Sequence, residues 1–117
     1  MYVYSGEIQR VVDGDTVDVA IDLGFKVVLH ERFRLANIDA PETYGPKASE
    51  AGRAAAFYLA NLLPIGTPIK LKSQKTGKFN RWIAEVWVLN PDGEVSEKSV
   101  NQMMVEGGHA TTYGPPA

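Results

Sequence analysis

Carboxylates and an arginine in two short segments of this chain have the chemistry to hold a divalent cation beside a phosphate group. Asp13 and Asp15 flank a glycine in the first segment, and Arg34 precedes Asp39 and Glu42 in the second. Carboxylate oxygens are preferred ligands of calcium and magnesium, and a planar guanidinium matches the oxygens of phosphate. This chemistry requires a fold that brings the two segments together.

Length and composition predict one globular domain over residues 1–117, with 44% hydrophobic and 22% charged residues. The chain has no cysteine, which excludes disulfides and thiolate metal sites and leaves oxygen ligands or the imidazoles of His30 and His109. Neither histidine has a second histidine or a cysteine at ligand spacing, so we expect both in surface or packing positions.

The formal net charge of -2 disfavours broad, nonspecific adhesion to nucleic acid, although a small basic site remains compatible with it. The sequence has no apolar stretch of membrane-spanning length, and its first residues lack the features of a signal peptide. We therefore expect a cytoplasmic monomer without membrane contact, while secretion of a processed form stays open.

Hydrophobic periodicity and turn residues predict three strands, a helix, two more strands and a short helix. These elements cover residues 2–12, 16–23, 26–35, 47–63, 68–73, 81–89 and 100–106. Ser99 and Gln102 form a capping box for the second helix. Five strands with a helix between the third and fourth indicate an OB-fold, a mainly β member of the α+β class.

Strand alternation predicts the direction of Arg34. Phe33 and Leu35 share one face of the third strand, so Arg34 points to the opposite face, towards solvent or a cleft. Pro41 lacks an amide donor and favours a loop after this strand.

Four aromatic residues of the helix and the last strand are expected in the core: Phe57, Tyr58, Trp82 and Trp87. Aromatic side chains in an OB groove can also stack on bases.

Several motifs in the same order resemble the staphylococcal nuclease family of calcium-dependent phosphodiesterases, which have an OB-fold. They are residues 13–17, 33–35, 39–42 and 44–46, together with Arg81 at the start of the last strand. Each motif alone is weak evidence for this family, since a turn such as DGDT is common. The whole set in this order is specific for the family. The resemblance covers about residues 8–113.

The resemblance implies a site for one calcium ion. Asp15 and Asp39 would ligate it through carboxylates and Ala40 through its main-chain carbonyl, a role that does not depend on the side chain. Asp13 and Glu42 would reach the ion through water.

The resemblance also implies the catalytic roles. Arg34 and Arg81 would bind the phosphate, and Glu42 would orient or deprotonate the attacking water. Phe79 and Tyr113 would lie near the nucleotide. The implied activity is hydrolysis of DNA or RNA, with single strands preferred and 3′-phosphate products. The arginines and the calcium ion would promote hydrolysis because cations at the phosphate stabilise the charge of the transition state.

Two other interpretations remain open at this point. The chain could be a non-catalytic OB-type module that binds nucleic acid or a protein, with residues 13–15 acting only as a hairpin turn. Asn80, where the family more often has glycine, and the acidic net charge favour that reading. The chain could also be an accessory domain of a larger enzyme.

Overall fold

A computed structural model describes residues 2–75 and 82–112. Phe79, Arg81 and Tyr113 lie outside the described residues, so their predicted roles stay predictions.

The described elements follow the predicted order, with two short additional strands. They are β1 (Tyr2–Asp13), β2 (Thr16–Asp22), β3 (Val28–Leu35), β4 (Ile38–Asp39), α1 (Glu50–Leu62), β5 (Pro68–Lys75), β6 (Trp82–Val88), α2 (Val100–Glu106) and β7 (Thr111–Thr112). The additional strands, β4 and β7, pair with each other in an antiparallel ladder. Among the described residues, no helix has the length and apolarity needed to cross a membrane.

The sheet closes into a barrel with the strand order β1-β2-β3-β6-β5. All neighbouring strands are antiparallel except β3 and β6, which run parallel. α1 connects the third and fourth barrel strands through the loop that follows β4. The predicted OB-fold, a mainly β barrel with two helices, is confirmed.

The β2–β3 hairpin extends past the barrel core. Its tip is a turn in which Phe25 and Lys26 both have positive φ angles, and Val27 and Leu29 near the tip are exposed. The apolar side chains of this hairpin arm are therefore buried in the core only at the far end of β3, at Phe33 and Leu35.

α1 covers one end of the barrel. Ala55 and Leu59 are fully buried against the core, and Gly52 is also buried on this face. The helix begins at Glu50 and not at residue 47, because the Ser49 hydroxyl accepts a hydrogen bond from the Gly52 N–H and caps it.

Two of the four aromatic residues expected in the core are exposed. Phe57 lies on the outer face of α1 with 71% of its surface accessible, and Trp82 opens β6 at the rim of the barrel. Both predictions were wrong, because a residue's type does not report which side of an element faces the barrel. Tyr58 is partly buried and packs against the core.

α2 is joined to the barrel by one buried amide. The Asn101 Oδ1 accepts a hydrogen bond from the Val86 N–H at 3.0 Å, and its Nδ2 donates to the carbonyls of Ala36 and Ala84 at 3.0 and 3.1 Å. Since Ala36 directly follows β3, this amide fixes where the chain leaves the barrel towards the second acidic segment. The predicted cap at Ser99 is confirmed by its bond from the Gln102 N–H.

Candidate active site

The Asp15 carboxylate joins the two acidic segments. It is only 6% exposed, and its Oδ2 accepts a hydrogen bond from the Ala40 N–H at 3.1 Å. Its Oδ1 accepts from the Thr16 hydroxyl at 3.1 Å, and its main-chain carbonyl accepts from the Leu35 N–H at 2.7 Å. The turn between β1 and β2 thus lies directly against the loop that carries Ala40.

Gly14 permits this close approach. A Cβ at this position would lie 2.7 Å from the Ala55 Cβ and 2.8 Å from the Ala40 Cβ, both well inside van der Waals contact. The absence of a side chain lets the turn pack between α1 and the second acidic segment.

Arg34 lies between two carboxylates. Its Nη2 is 2.9 Å from the Asp39 Oδ1 and 3.6 Å from the Asp15 Oδ2, and it donates to the Ile38 carbonyl at 3.3 Å. Because both distances start at the same nitrogen, the Asp15 Oδ2 and the Asp39 Oδ1 are no farther apart than the sum of these two distances. The side chain is 24% exposed, so an incoming anion can reach it.

Burial is the main reason that the pKa of Asp15 is raised above its ordinary value. The neighbouring Asp13 carboxyl raises this pKa further, while the Ala40 N–H and the Arg34 guanidinium oppose the shift. The carboxylate form of Asp15 is thus only partly compensated by its protein neighbours, and a bound cation would stabilise it.

The Glu42 main chain is held by the start of α1. Its carbonyl accepts a hydrogen bond from the Ser49 N–H at 3.1 Å, and the next residue, Thr43, is buried with its hydroxyl donating to the Gly52 carbonyl at 3.3 Å. These contacts fix the backbone from which the Glu42 side chain extends into the adjoining cleft.

A cleft of about 500 Å³ collects the predicted site residues. Asp13, Asp15, Arg34, Ala40 and Glu42 all line it. Asp39 is not among the described lining residues, but its Oδ1 accepts a hydrogen bond from the Arg34 Nη2 at the edge of the cleft. The other described lining residues are Val12, Thr16, Glu31, Arg32, Pro41 and Trp82. None of the described lining residues is a histidine, and His109 instead stacks on Tyr58 with ring centroids 4.4 Å apart.

The available donors suit a hard cation. They are the carboxylates of Asp15 and Asp39 and the Ala40 carbonyl, all oxygen ligands of the kind that calcium prefers. In residues 2–75 and 82–112 no group of three or more histidine or acidic side chains converges on a metal position. The expected donor set does not need such a group, since it has two carboxylates and a main-chain oxygen, and the raised pKa of Asp15 indicates an under-compensated anion.

Two of the lining residues, Arg32 and Trp82, were not among the predicted site residues, although base stacking was an open alternative for the aromatic residues. Arg32 precedes Arg34 by two positions, so strand alternation could have placed both on the cleft face. Trp82 directly follows Arg81, and its apolar character suggested the core instead.

An OB-type barrel with an acidic, arginine-containing cleft beside α1 defines the class of protein. The family model described as "Staphylococcal nuclease homologue" matches residues 32–116. This match covers most of the chain, and the chain belongs to that family.

Curated relatives match a larger part of the chain, between 92% and 94% of it. Endonuclease YhcR of Bacillus subtilis (strain 168) is 34% identical over 94% of this chain, which is 9% of the relative. Micrococcal nuclease of Shigella flexneri is 30% identical over 94% of the chain and 59% of the relative. Protein ParB of Escherichia coli is 32% identical over 92% of the chain and 56% of the relative. The chain thus covers less than two thirds of each of these relatives.

Proposed function

We propose that this domain is a calcium-dependent nuclease that hydrolyses phosphodiester bonds of DNA or RNA, prefers single strands and leaves 3′-phosphate products. The observation that carries the proposal is the convergence of Asp15, Arg34 and Glu42 on one cleft. Membership in the family and relatives named endonuclease and micrococcal nuclease support it. All three groups come from one chain, so this part of the site needs no residue from a second copy, and we propose a monomeric enzyme.

Arg34 is the proposed phosphate-binding residue. Its guanidinium already lies between two carboxylates, so its position is set before substrate arrives. A phosphodiester oxygen that replaces part of this pairing would place its charge against a fixed cation. Fixed donors of this kind stabilise the charge that develops in the transition state, because they need no reorganisation during the reaction.

Asp15, Asp39 and the Ala40 carbonyl are the proposed calcium ligands, with Asp13 and Glu42 contacting the ion through water. Calcium bound there would supply charge neutralisation at the phosphate oxygens. The burial of Asp15 excludes water from one side of this position, which strengthens electrostatic attraction to a cation.

Glu42 is the proposed residue that orients or deprotonates the attacking water. Its side chain lines the cleft, and its main chain is held by hydrogen bonds at the α1 N-terminus. Arg81 as a second phosphate ligand, and Phe79 and Tyr113 as nucleotide contacts, complete the proposal from the family resemblance.

A hydrolysis assay tests this function. Labelled single- and double-stranded DNA and RNA are incubated with the protein in calcium, magnesium or chelator, and the product ends are identified. We expect calcium-dependent cleavage that falls roughly 10²–10³-fold in Glu42→Gln and Arg34→Ala. Glu94→Gln, an exposed carboxylate in the turn after β6, is the matched control. Full activity in both cleft variants, or no cleavage with any metal, contradicts the proposal.

A non-catalytic nucleic-acid or protein-binding module is the second candidate. It is favoured by the net charge of -2 and by the pairing of Arg34 with Asp39, which gives each of these two groups an opposite charge without a metal. Calcium titration of the melting temperature separates the candidates, because a ligand at 100 times its Kd stabilises the folded state by about 2.7 kcal/mol. The enzyme should gain this stability and lose the gain in Asp15→Asn, whereas the module should show neither effect.

A further inference from the structure

Arg32 and Trp82 line the cleft but have no role in the proposed hydrolysis. They lie on neighbouring strands, since Arg32 precedes Phe33 on β3 and Phe33 is the register partner of Trp82 on β6. Trp82 is 38% exposed, a large accessible fraction for an indole on a barrel strand. Register places Trp82 on the side of the sheet that carries Phe33, opposite to Arg32, so the two side chains line one cleft only at the open end of the barrel, where β6 begins.

The Arg32 guanidinium is held in a defined direction. Its Nε and Nη2 contact the two oxygens of Asp18 at 2.7 and 3.2 Å, and the two residues face each other across β2 and β3. Asp18 engages two of the five N–H donors that a guanidinium carries. The side chain stays 57% exposed, so an oriented cation remains accessible from the cleft.

The spacing of Arg32 and Arg34 suits two successive phosphates. Positions two apart on one strand face the same side and lie about 7 Å apart. This separation is comparable to that of neighbouring phosphates along an extended nucleic-acid strand. A strand with one phosphate at Arg34 can thus place the adjacent phosphate at Arg32, with a base directed to the flat face of Trp82.

We propose that Arg32 and Trp82 form a second nucleotide subsite, in which Arg32 binds the phosphate next to the scissile one and Trp82 stacks on a base. The proposal rests on the proposed function for the identity of the substrate, but binding at the subsite requires no hydrolysis. A base can lie on the indole only after it leaves its own helical stack, so this subsite selects single-stranded substrate.

Tryptophan fluorescence tests the subsite directly, because the chain has only two tryptophans. Trp87→Phe leaves Trp82 as the reporter. Trp82→Phe leaves Trp87, which alternation places on the other face of β6 and whose ring lies 5.6 Å from the Lys72 Nζ. Both changes are made in Glu42→Gln protein, with calcium present, so that binding is observed without turnover.

The ligands are a short oligothymidylate and an abasic oligonucleotide of equal length. We expect the oligothymidylate to quench Trp82 and leave Trp87 unchanged, and the abasic strand to quench neither. Equal quenching by the two strands, or none at any concentration, overturns the subsite.

Affinities of alanine and glutamine variants complete the test. Trp82→Ala should weaken oligothymidylate binding roughly 5- to 150-fold, to the level of the abasic strand, because base stacking on an aromatic ring has about this effect. Arg32→Gln should weaken both strands and lower the slope of log affinity against log salt by about 0.7, the loss of one phosphate contact. Unchanged affinity in Trp82→Ala, or an unchanged slope in Arg32→Gln, overturns the proposal.

Two controls keep the outcomes separate. Thermal melting establishes that each variant is folded, and Trp82→Leu replaces Trp82→Ala if the latter is not. Trp82-dependent binding by a protein that never hydrolyses nucleic acid leaves the subsite standing and contradicts the nuclease. Hydrolysis that is unchanged in the Trp82 and Arg32 variants supports the nuclease and contradicts the subsite.

Discussion

The main-chain carbonyl oxygen of Glu42 lies so close to the Cα of Gly52 that a Cβ at position 52 would overlap it. The same carbonyl accepts the Ser49 N–H, and the Ser49 hydroxyl accepts the Gly52 N–H. The loop carrying the proposed catalytic carboxylate therefore takes its position from the first turn of α1. Gly52, which has no side chain, thus determines the placement of Glu42.

Gly52→Ala should reduce hydrolysis at least tenfold, because the Glu42 backbone must move away from the new methyl group. Overpacking of this kind costs about 1–3 kcal/mol, partly offset by about 1 kcal/mol of improved helix propensity. Activity assays and urea unfolding measure the two effects. The control is Ala54→Gly on the exposed face of α1, which should lose about 1 kcal/mol of stability without loss of activity. Equal activity in Gly52→Ala and wild type contradicts the prediction.

Arg34→Lys should lower kcat roughly 10²–10³-fold although the charge is retained. An ammonium is a point charge and lacks the planar fork of donors that matches a phosphate. In the wild type, the Nη2 atom of this fork contacts Asp39, Asp15 and the Ile38 carbonyl. Steady-state kinetics measure the loss, and Arg53→Lys on the exposed surface of α1 should behave as wild type. A lysine variant with the original kcat shows that Arg34 acts only through its charge.

Asp18→Asn should remove a pH-dependent contribution to stability. The Arg32 side chain holds the pKa of Asp18 below its ordinary value, mainly through their hydrogen bonds. Because the pKa of Asp18 is lower in the folded than in the unfolded protein, the pair stabilises the fold fully above the unfolded-state pKa. This stabilisation is lost as the pH falls through the folded-state pKa. Wild type should exceed the variant by less than about 1 kcal/mol at neutral pH, because the pair is exposed.

This difference in unfolding free energy should shrink towards zero in acid and also decrease with added salt. Asp22→Asn, also on β2, is the control, because an amide oxygen there can still accept the Gly24 N–H. A difference that grows in acid reverses the predicted sign.

Asn101→Ala should destabilise the fold by about 3 kcal/mol, since it leaves the Val86 N–H and the Ala36 and Ala84 carbonyls short of a buried partner. Denaturant unfolding measures the loss. Asn61→Ala, which removes one exposed hydrogen bond to the Phe57 carbonyl, should cost far less. Comparable losses in both variants indicate that the buried amide has no special role.

Replacing Phe25-Lys26 by Asn-Gly should stabilise the protein by about 0.5–1 kcal/mol. The Val27 N–H donates to the Gly24 carbonyl across these two residues, and both have the positive φ angles of a type I′ turn, which asparagine and glycine adopt with less strain. Phe25 is fully exposed, so its removal sacrifices no packing. Thermal melting should show the increase, and hydrolysis should be unchanged because this turn is absent from the described lining of the cleft.

Local patterns in the sequence predicted much of this architecture. The turn at Asp13, the alternation around Arg34 and the cap at Ser99 each depend on neighbouring residues, and the structure has all three. Predictions that required knowledge of distant partners were less successful. Trp82 and Phe57 were expected in the core because they are aromatic, yet both lie on surfaces that no other described element covers deeply enough to bury them.

The sequence by itself determined the order of strands, the barrel class and the residue types available for a metal-and-phosphate site, because these follow from short-range periodicity and side-chain chemistry. Only the tertiary structure decided that the Ala40 N–H contacts the Asp15 carboxylate, that Arg34 lies between Asp15 and Asp39, and that Arg32 and Trp82 share their cleft. These relationships arise from barrel closure and from the parallel β3–β6 pairing. The contacts of Asp15 with Ala40 and Arg34, and the shared cleft of Arg32 and Trp82, join segments that are distant in the sequence and whose local patterns carry no record of one another.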